Sequence, residues 1–151
     1  MEDEGVTMSS EELITRLEQA RGPSRDLDEA IKMAHAAFLI SGGAKRDEVI
    51  AAVGGGLSDD PRPYTFSVDH ATTLVPSGWV WKVGTCCVSD DAWVVPDWNS
   101  PVHGARLRRE LGEPASGSIW DSGIDVDLRP SGRPAIALCI AALKAHQAMR
   151  A

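Results

Sequence analysis

Three aspartates in the stretch "WDSGIDVD" are the residues whose types and spacing come nearest to metal chemistry: Asp121, Asp125 and Asp127. Asp125 and Asp127 lie two residues apart, so a strand here places both carboxylates on one side. Two-carboxylate sites of this kind hold divalent cations in hydrolases and nucleases. The stretch lacks the Asp-x-Asp-x-Asp-Gly order of a calcium loop, and no His or Glu accompanies it at a recognised spacing. These aspartates are ordinarily acidic turn residues that bind nothing. If they instead bind a metal, the alternative function is that of a metal-dependent hydrolase or nuclease-like enzyme.

A second set of residues is suited to contact with another protein. Trp98 lies in the loop "PDWNSP", where we expect an exposed aromatic side chain. Arg106, Arg108 and Arg109 follow in "HGARLRRELGE", a helical turn with charges of both signs that is ordinarily a solvated face. Trp98 and the three arginines are our candidate protein-contact residues.

Two further tryptophans, Trp79 and Trp81, stand two residues apart in "SGWVWKVG" and share one face of a predicted strand. They are either part of the core or an exposed aromatic platform for a sugar, a base or a peptide. We favour the core, because the predicted amphipathic helices need a sheet surface to cover and the strands offer little other bulky material.

Length and charge restrict the classes of protein to which this chain can belong. The chain has 151 residues, the size of one domain, and its formal net charge of −7 opposes nucleic-acid binding. No apolar run approaches the ~20 residues of a membrane span, and the acidic N-terminus does not resemble a secretory signal, so we expect a cytoplasmic protein. The three cysteines include no Cys-x-x-Cys pair, which argues against structural zinc, and we expect no cofactor.

Helix-capping signals predict several helices in the part of the chain that precedes the central strands. We expect residues 1–8 to be a flexible tail and residues 9–151 a single domain, with a loop or insertion at about 44–63. Ser9 with Glu12 forms a capping-box pattern, Ser24 or Asp26 caps a second helix, and "KRDEVIAAV" suggests a short third helix. Ser67 is a further cap.

The second half predicts strands and one long helix. "WVWKVGTCCV" and "AWVV" form a predicted hairpin, and "IDVDL" is a weaker third strand. The stretch "AIALCIAALKAHQAMR", which follows Pro134, is apolar nearly all round, so this helix must be packed on more than one side.

Several stretches in order resemble the phage ABA sandwich family, small proteins encoded by bacteriophages and prophages. They are "LEQARGPSRDLDEAIKMA", "YTFSVDHATTLVPSGWVWKVG", the Trp-bearing strand "AWVV", and "RPAIALCIAALKAHQ". The resemblance implies an α+β fold, a three-layer α/β/α sandwich with helices on both faces of a small, mainly antiparallel sheet. It brings no catalytic residue.

The functional expectation combines this resemblance with the absence of a catalytic constellation. We expect a phage or prophage accessory protein in the cytoplasm of the bacterial host, a non-enzymatic domain that binds a phage or host protein or associates with itself. Acidic mimicry of nucleic acid is a further alternative, but average acidity is too common to support it.

Overall fold

Three of the helices begin where a serine side chain caps them. In this computed structural model, which describes residues 8–56, 58–112 and 123–150, Ser9 Oγ accepts a hydrogen bond from the backbone N–H of Glu12 at 3.1 Å. Ser24 and Ser67 cap their helices in the same way. The helices are α1 (Ser10–Gln19), α2 (Arg25–Ser41), α3 (Arg46–Val53), α4 (Val68–Ala71), α5 (Gly104–Leu111) and α6 (Pro134–Arg150). The predicted helix starts are confirmed.

The predicted hairpin and third strand form one small antiparallel sheet. Its strands are β1 (Trp79–Thr85), β2 (Asp90–Pro96) and β3 (Ile124–Leu128), in the order β1-β2-β3. Trp81 lies opposite Val94, and Trp93 lies opposite Asp125. Alternation then gives an inner face with Trp79, Ala92, Val94, Val126 and Leu128, all buried.

The inner face of the sheet packs against α6. This helix contacts β2 and β3 extensively, and it also contacts α1 and α4. Its residues 135–143 are almost completely buried, as its apolar composition predicts. The α+β class and the small antiparallel sheet are confirmed. The layer order among the described residues differs from the expected sandwich: α6 lies between the sheet on one side and α1 and α4 on the other.

A buried aspartate joins the sheet to the start of α6. Asp90 is fully buried and accepts hydrogen bonds from Thr85 Oγ1 and from the backbone N–H of Arg133, the residue before α6. A carboxylate at a helix N-terminus is favoured by the unpaired N–H groups and the helix dipole. The guanidinium of Arg133 in turn donates to the carbonyl of Ala20 at 2.6 Å, which fixes the end of α1.

The insertion at 44–63 packs onto α2 through a buried lysine. Lys32 Nζ donates to the carbonyls of Gly56 and Asp59, and its side chain is almost completely buried. Gly54 ends α3 with a φ of 85°, a left-handed conformation that suits glycine. The predicted tail at 1–8 falls outside the described residues except for Met8, which packs against the core.

Among the described residues, every helix is too short or too polar to span a bilayer.

Candidate functional site

The structure separates the tryptophans that the sequence suggested for binding. Trp79 is 7% exposed and belongs to the core, as predicted, whereas Trp81 on the same face is 44% exposed because β1 is an edge strand. Trp98 is only 4% exposed and lies in the core. The expectation that Trp98 is an exposed contact residue is therefore wrong. The start of α5 approaches the Trp98 loop so closely that a Cβ on Gly104 would lie 2.6 Å from the Trp98 carbonyl oxygen.

The three arginines of α5 have different environments. Arg106 is half-buried and donates to the carbonyl of Ser77 at 2.6 Å, whereas Arg108 and Arg109 are exposed. Leu107 between them is fully buried. Because Trp98 is covered and Arg106 is bound to the neighbouring loop, the predicted contact surface is reduced to the solvated side of α5.

The aspartates of the metal hypothesis lie on the outer face of the sheet. Asp125 and Asp127 are both exposed and on the same side of β3, as their spacing predicts, and Asp121 lies outside the described residues. Asp127 stands opposite Asp91 and accepts a hydrogen bond from Arg129 Nε at 3.2 Å. Within the described ranges no three His, Cys, Asp or Glu side chains converge as metal ligands. Two of the three predicted ligands therefore lie on one exposed face of β3, where Arg129 forms an ion pair with Asp127.

The free edge of β1 can be oriented from the hydrogen bonds at its two ends. The carbonyl of Gly78 accepts from the N–H of Asp97 at 2.8 Å, and the N–H of Cys86 donates to the carbonyl of Ser89 at 2.9 Å. The pairing with β2 is continuous between these points. In an antiparallel ladder the hydrogen-bonded positions alternate. The even-numbered residues of β1 therefore face β2, and the odd-numbered residues turn their N–H and C=O groups outward.

This edge also exposes large apolar side chains. Trp81 is 44% exposed and Val80 is 41% exposed, on opposite faces of the strand. In the part of the chain that the structure describes, no hydrogen bond engages the outward N–H and C=O groups of Trp81 and Val83. Lys82 carries the only charge in the strand. Such an edge is a template for another strand.

A separate concave region, which we call the cleft, opens between the ends of the helices. It has a volume of about 600 Å³ and is formed by the C-terminal half of α2, by α3, α5, the end of α6 and the loop 73–77. The polar side chains that line it are His35, Glu48, Thr73, Ser77, Arg106, Glu110 and His146. Leu39, Ala52, Val75, Pro76 and Met149 supply its apolar wall. The surface of the cleft is therefore more polar than apolar.

Two buried histidines form one side of the cleft. The ring centroids of His35 and His146 are 5.3 Å apart, and Phe38 stacks on His146 with centroids 4.9 Å apart. His146 Nε2 lies 2.8 Å from the carbonyl oxygen of Leu74, so the geometry assigns a proton to Nε2. The contact with a carbonyl fixes this ring in place.

His35 is held in its neutral form. Its pKa is lowered to about 4, mainly by burial and in addition by the charges of His146 and Arg62. Its side chain is 4% exposed, and Nδ1 is buried without a hydrogen-bond partner among the described residues. The Nε atom of Arg106 is likewise buried and unpartnered there. Neither atom has surface accessible to solvent, so both face the protein interior and not the open cleft.

Sequence reasoning missed this cleft because spacing carried no signal for it. His35 and His146 are 111 positions apart in the chain and come from different helices, so no short spacing connects them. His35 also falls within the amphipathic pattern of α2, where an ordinary partly buried residue is expected.

Comparison with protein families, with curated proteins and with solved structures gives no match to this chain.

Proposed function

We propose that this protein is a non-enzymatic, self-associating domain whose β1 edge pairs with β1 of a second copy, and that it acts as a phage or prophage accessory protein. The observation that carries self-association is the β1 edge, where the outward backbone groups of Trp81 and Val83 have no hydrogen-bond partner among the described residues and the side chains of Trp81 and Val80 are exposed. The resemblance of the sequence to the phage ABA sandwich family supports the proposed phage or prophage origin.

Twofold symmetry restricts how two β1 strands can pair. In an antiparallel pair, the side chains of two opposite residues lie on the same face of the sheet. The inner faces of the two copies therefore match only if an odd-numbered residue of β1 lies opposite another odd-numbered residue, which makes the sum of the two numbers even. A register centred on Trp81 makes Trp81 its own partner and uses its outward N–H and C=O in two hydrogen bonds. The same register brings the outward N–H of Val83 to the carbonyl of Trp79 in the second copy. The pair of sheets then becomes one six-stranded sheet.

Side chains favour the same register. Trp81 meets Trp81 of the second copy on the inner face, which continues the apolar layer beside α6 and covers the exposed indole. On the outer face Val80 lies opposite Lys82, so the two lysines are not opposed. A register centred on Lys82 would place two like charges face to face, which is unfavourable.

β3 is less suited to this role although it forms the other edge. It has five residues and carries Asp125 and Asp127, two exposed carboxylates. Short, charged edges resist pairing with other chains. The two edges of one sheet therefore provide an internal comparison for the experiment.

The test is analytical ultracentrifugation of the purified full chain over a range of concentrations. Wild type should show a monomer–dimer equilibrium. Val83→Pro should weaken self-association by tenfold or more, because it removes an outward N–H of β1 that donates to the second copy. Proline at this edge position leaves the pairing of β1 with β2 intact.

Asp125→Pro is the matched control, since alternation makes the N–H of Asp125 face outward from β3. It should leave the dimerisation constant unchanged. A monomer at all concentrations, or equal effects of the two prolines, would contradict the proposal. If wild type is monomeric but a phage or host strand protects the Trp81 amide from exchange, the edge binds a different protein and self-association is wrong.

A further inference from the structure

A second concave region, which we call the arginine pocket, lies between the end of α1 and the loop that joins β3 to α6. It has a volume of about 380 Å³. The residues that line it are Glu18, Gln19, Arg21, Arg129, Pro130, Ser131 and Arg133. Three arginines and one glutamate leave two net positive charges in this lining, whereas the whole chain has a formal net charge of −7. The pocket is therefore opposite in sign to the molecule that contains it.

Arg133 places a buried positive charge in the wall of the pocket. The residue is 6% exposed, and its guanidinium donates to the carbonyls of Glu18, Ala20 and Pro130. Among the described residues this guanidinium forms no ion pair with a carboxylate, and Asp90 contacts only the backbone N–H of Arg133. Buried charges in proteins are ordinarily paired. An anion in the pocket would supply the missing counter-charge.

Three other side chains supply groups that an anion can contact directly. Arg21 and Arg129 are exposed and Ser131 is partly exposed. Within the described ranges, the guanidinium of Arg21 and the hydroxyl of Ser131 form no hydrogen bond or ion pair. Arg129 uses only its Nε, which donates to Asp127 in an exposed ion pair, and such pairs are weak in water. Accessible N–H and O–H donors therefore remain on all three residues.

The charges and donors of the pocket indicate the class of anion. Guanidinium groups bind phosphate oxygens through pairs of parallel hydrogen bonds. Because electrostatic attraction increases with the charge of the ligand, two net positive charges favour a dianion over a monoanion. Pro130 and the hydrocarbon stems of the arginines form low-dielectric walls, which concentrate the field inside the pocket.

We infer that the arginine pocket binds a dianionic phosphoryl group, that of inorganic phosphate or of a small phosphate monoester, through Arg21, Arg129 and Ser131. Both sources present the acceptor oxygens that these donors require. The charge of Arg133 attracts the anion from the wall behind them. The pocket shares no residue with the β1 edge or with the cleft, so this inference is independent of self-association.

A proton–nitrogen NMR titration of the full chain at pH 8 and constant ionic strength tests the inference. The probes are inorganic phosphate, methyl phosphate, dimethyl phosphate and acetate. Methyl phosphate is a dianion at this pH because its second pKa is about 6, whereas dimethyl phosphate carries one charge. The dianions should give saturable shifts at millimolar concentration, largest at the amides of Arg21 and Ser131. Dimethyl phosphate and acetate should bind at least tenfold more weakly.

The two dianions distinguish the source of the phosphoryl group. Tighter binding of inorganic phosphate than of methyl phosphate identifies free phosphate as the ligand. Tighter binding of methyl phosphate identifies a phosphate monoester, because the pocket then also contacts the ester group.

Variants then locate the binding. Arg21→Gln should weaken methyl phosphate binding by tenfold or more, and Arg129→Gln should weaken it in the same direction, because each removes a charged donor. Arg16→Gln is the matched control, since it removes an exposed arginine of α1 that does not line the pocket. It should change the affinity by less than about twofold. Glu18→Gln removes the carboxylate of the lining and should tighten binding by about threefold. The same spectra confirm that each variant is folded.

Three results would overturn the inference. The first is the absence of saturable shifts with both dianions. The second is an equal loss of affinity in folded Arg21→Gln and Arg16→Gln variants, which would indicate general attraction to surface arginines. The third is binding of dimethyl phosphate or acetate as tightly as methyl phosphate, which would show that the pocket does not select a dianionic phosphoryl group.

Discussion

The β1 edge and the cleft depart from ordinary burial in opposite directions. At the β1 edge, apolar side chains are exposed: Trp81 is 44% and Val80 is 41% accessible to solvent. Beside the cleft, polar atoms of His35 and Arg106 are buried and have no hydrogen-bond partner among the described residues. Exposed apolar groups lower their free energy by contact with another apolar surface, whereas buried polar atoms need a hydrogen-bonding group.

This difference separates a surface that fits a partner from a property of the folded interior. An extended edge with regularly spaced backbone groups fits another strand, which repeats at the same spacing. The buried atoms beside the cleft have no surface accessible to solvent, so their environment affects the stability of the fold. Substitutions at the edge and beside the cleft can therefore alter association and stability separately.

The largest expected effect tests the alternation of hydrogen bonds along β1. Lys82 faces β2, so Lys82→Pro should lower the free energy of unfolding by roughly 3 kcal/mol, because it removes a ladder donor and introduces a clash. Val83→Pro should change it by less than about 1 kcal/mol. Urea unfolding at dilute protein concentration measures both. A reversed order would show that the outward-facing residues were assigned to the wrong positions.

The second effect concerns the buried histidine of the cleft. The folded pKa of His35 is about 4, below the ordinary value of 6.5, so the unfolded chain binds a proton first as the pH falls. The stability that this neutral ring contributes is complete above pH 6.5 and is lost as the pH decreases toward 4. Between pH 7 and pH 4.5 the loss should be about 2 kcal/mol.

Urea unfolding of wild type and His35→Gln at both pH values measures this contribution. Carboxylates also titrate in this range, but they contribute equally to the two proteins, so the difference between their pH slopes isolates His35. Wild type should lose about 2 kcal/mol more than the variant. Equal slopes would mean that the ring is not held neutral by burial.

Local sequence signals predicted most of the elements. Ser9, Ser24 and Ser67 cap helices as expected, because a cap depends only on residues three positions apart. The faces of β1 and β3 also follow from the two-residue repeat. The uniform apolar character of α6 predicted packing on more than one side, but it could not reveal whether the sheet or this helix forms the middle layer.

The site was predictable only in part, since it depends on contacts between distant segments. Trp98 was expected to be exposed to solvent because its loop contains Pro and Asn. Its ring is instead buried by tertiary contacts, which the local sequence pattern does not predict. Trp81 could be assigned to a face, but its exposure depends on β1 being an edge strand. Arg106 and His35 meet at the cleft from α5 and α2, elements whose proximity no sequence spacing encodes.

The smallest effect distinguishes the registers available to the β1 edge. With Trp81 at the twofold axis, Val80 lies opposite Lys82 of the second copy. Val80→Glu then adds an ion pair at two symmetric positions and Val80→Lys adds a repulsion, each about 0.5 kcal/mol per position. The dimerisation constant should tighten about fivefold for the glutamate and weaken about fivefold for the lysine.

Sedimentation equilibrium at low salt measures both variants, and screening by added salt should reduce the two effects together. If Val80 instead lies at the twofold axis, it lies opposite Val80 of the second copy. A glutamate at position 80 then meets a glutamate, and a lysine there meets a lysine. Both variants would then weaken the dimer. Opposite signs therefore support the register centred on Trp81, equal signs identify the neighbouring register, and no response to either charge would place the interface away from β1.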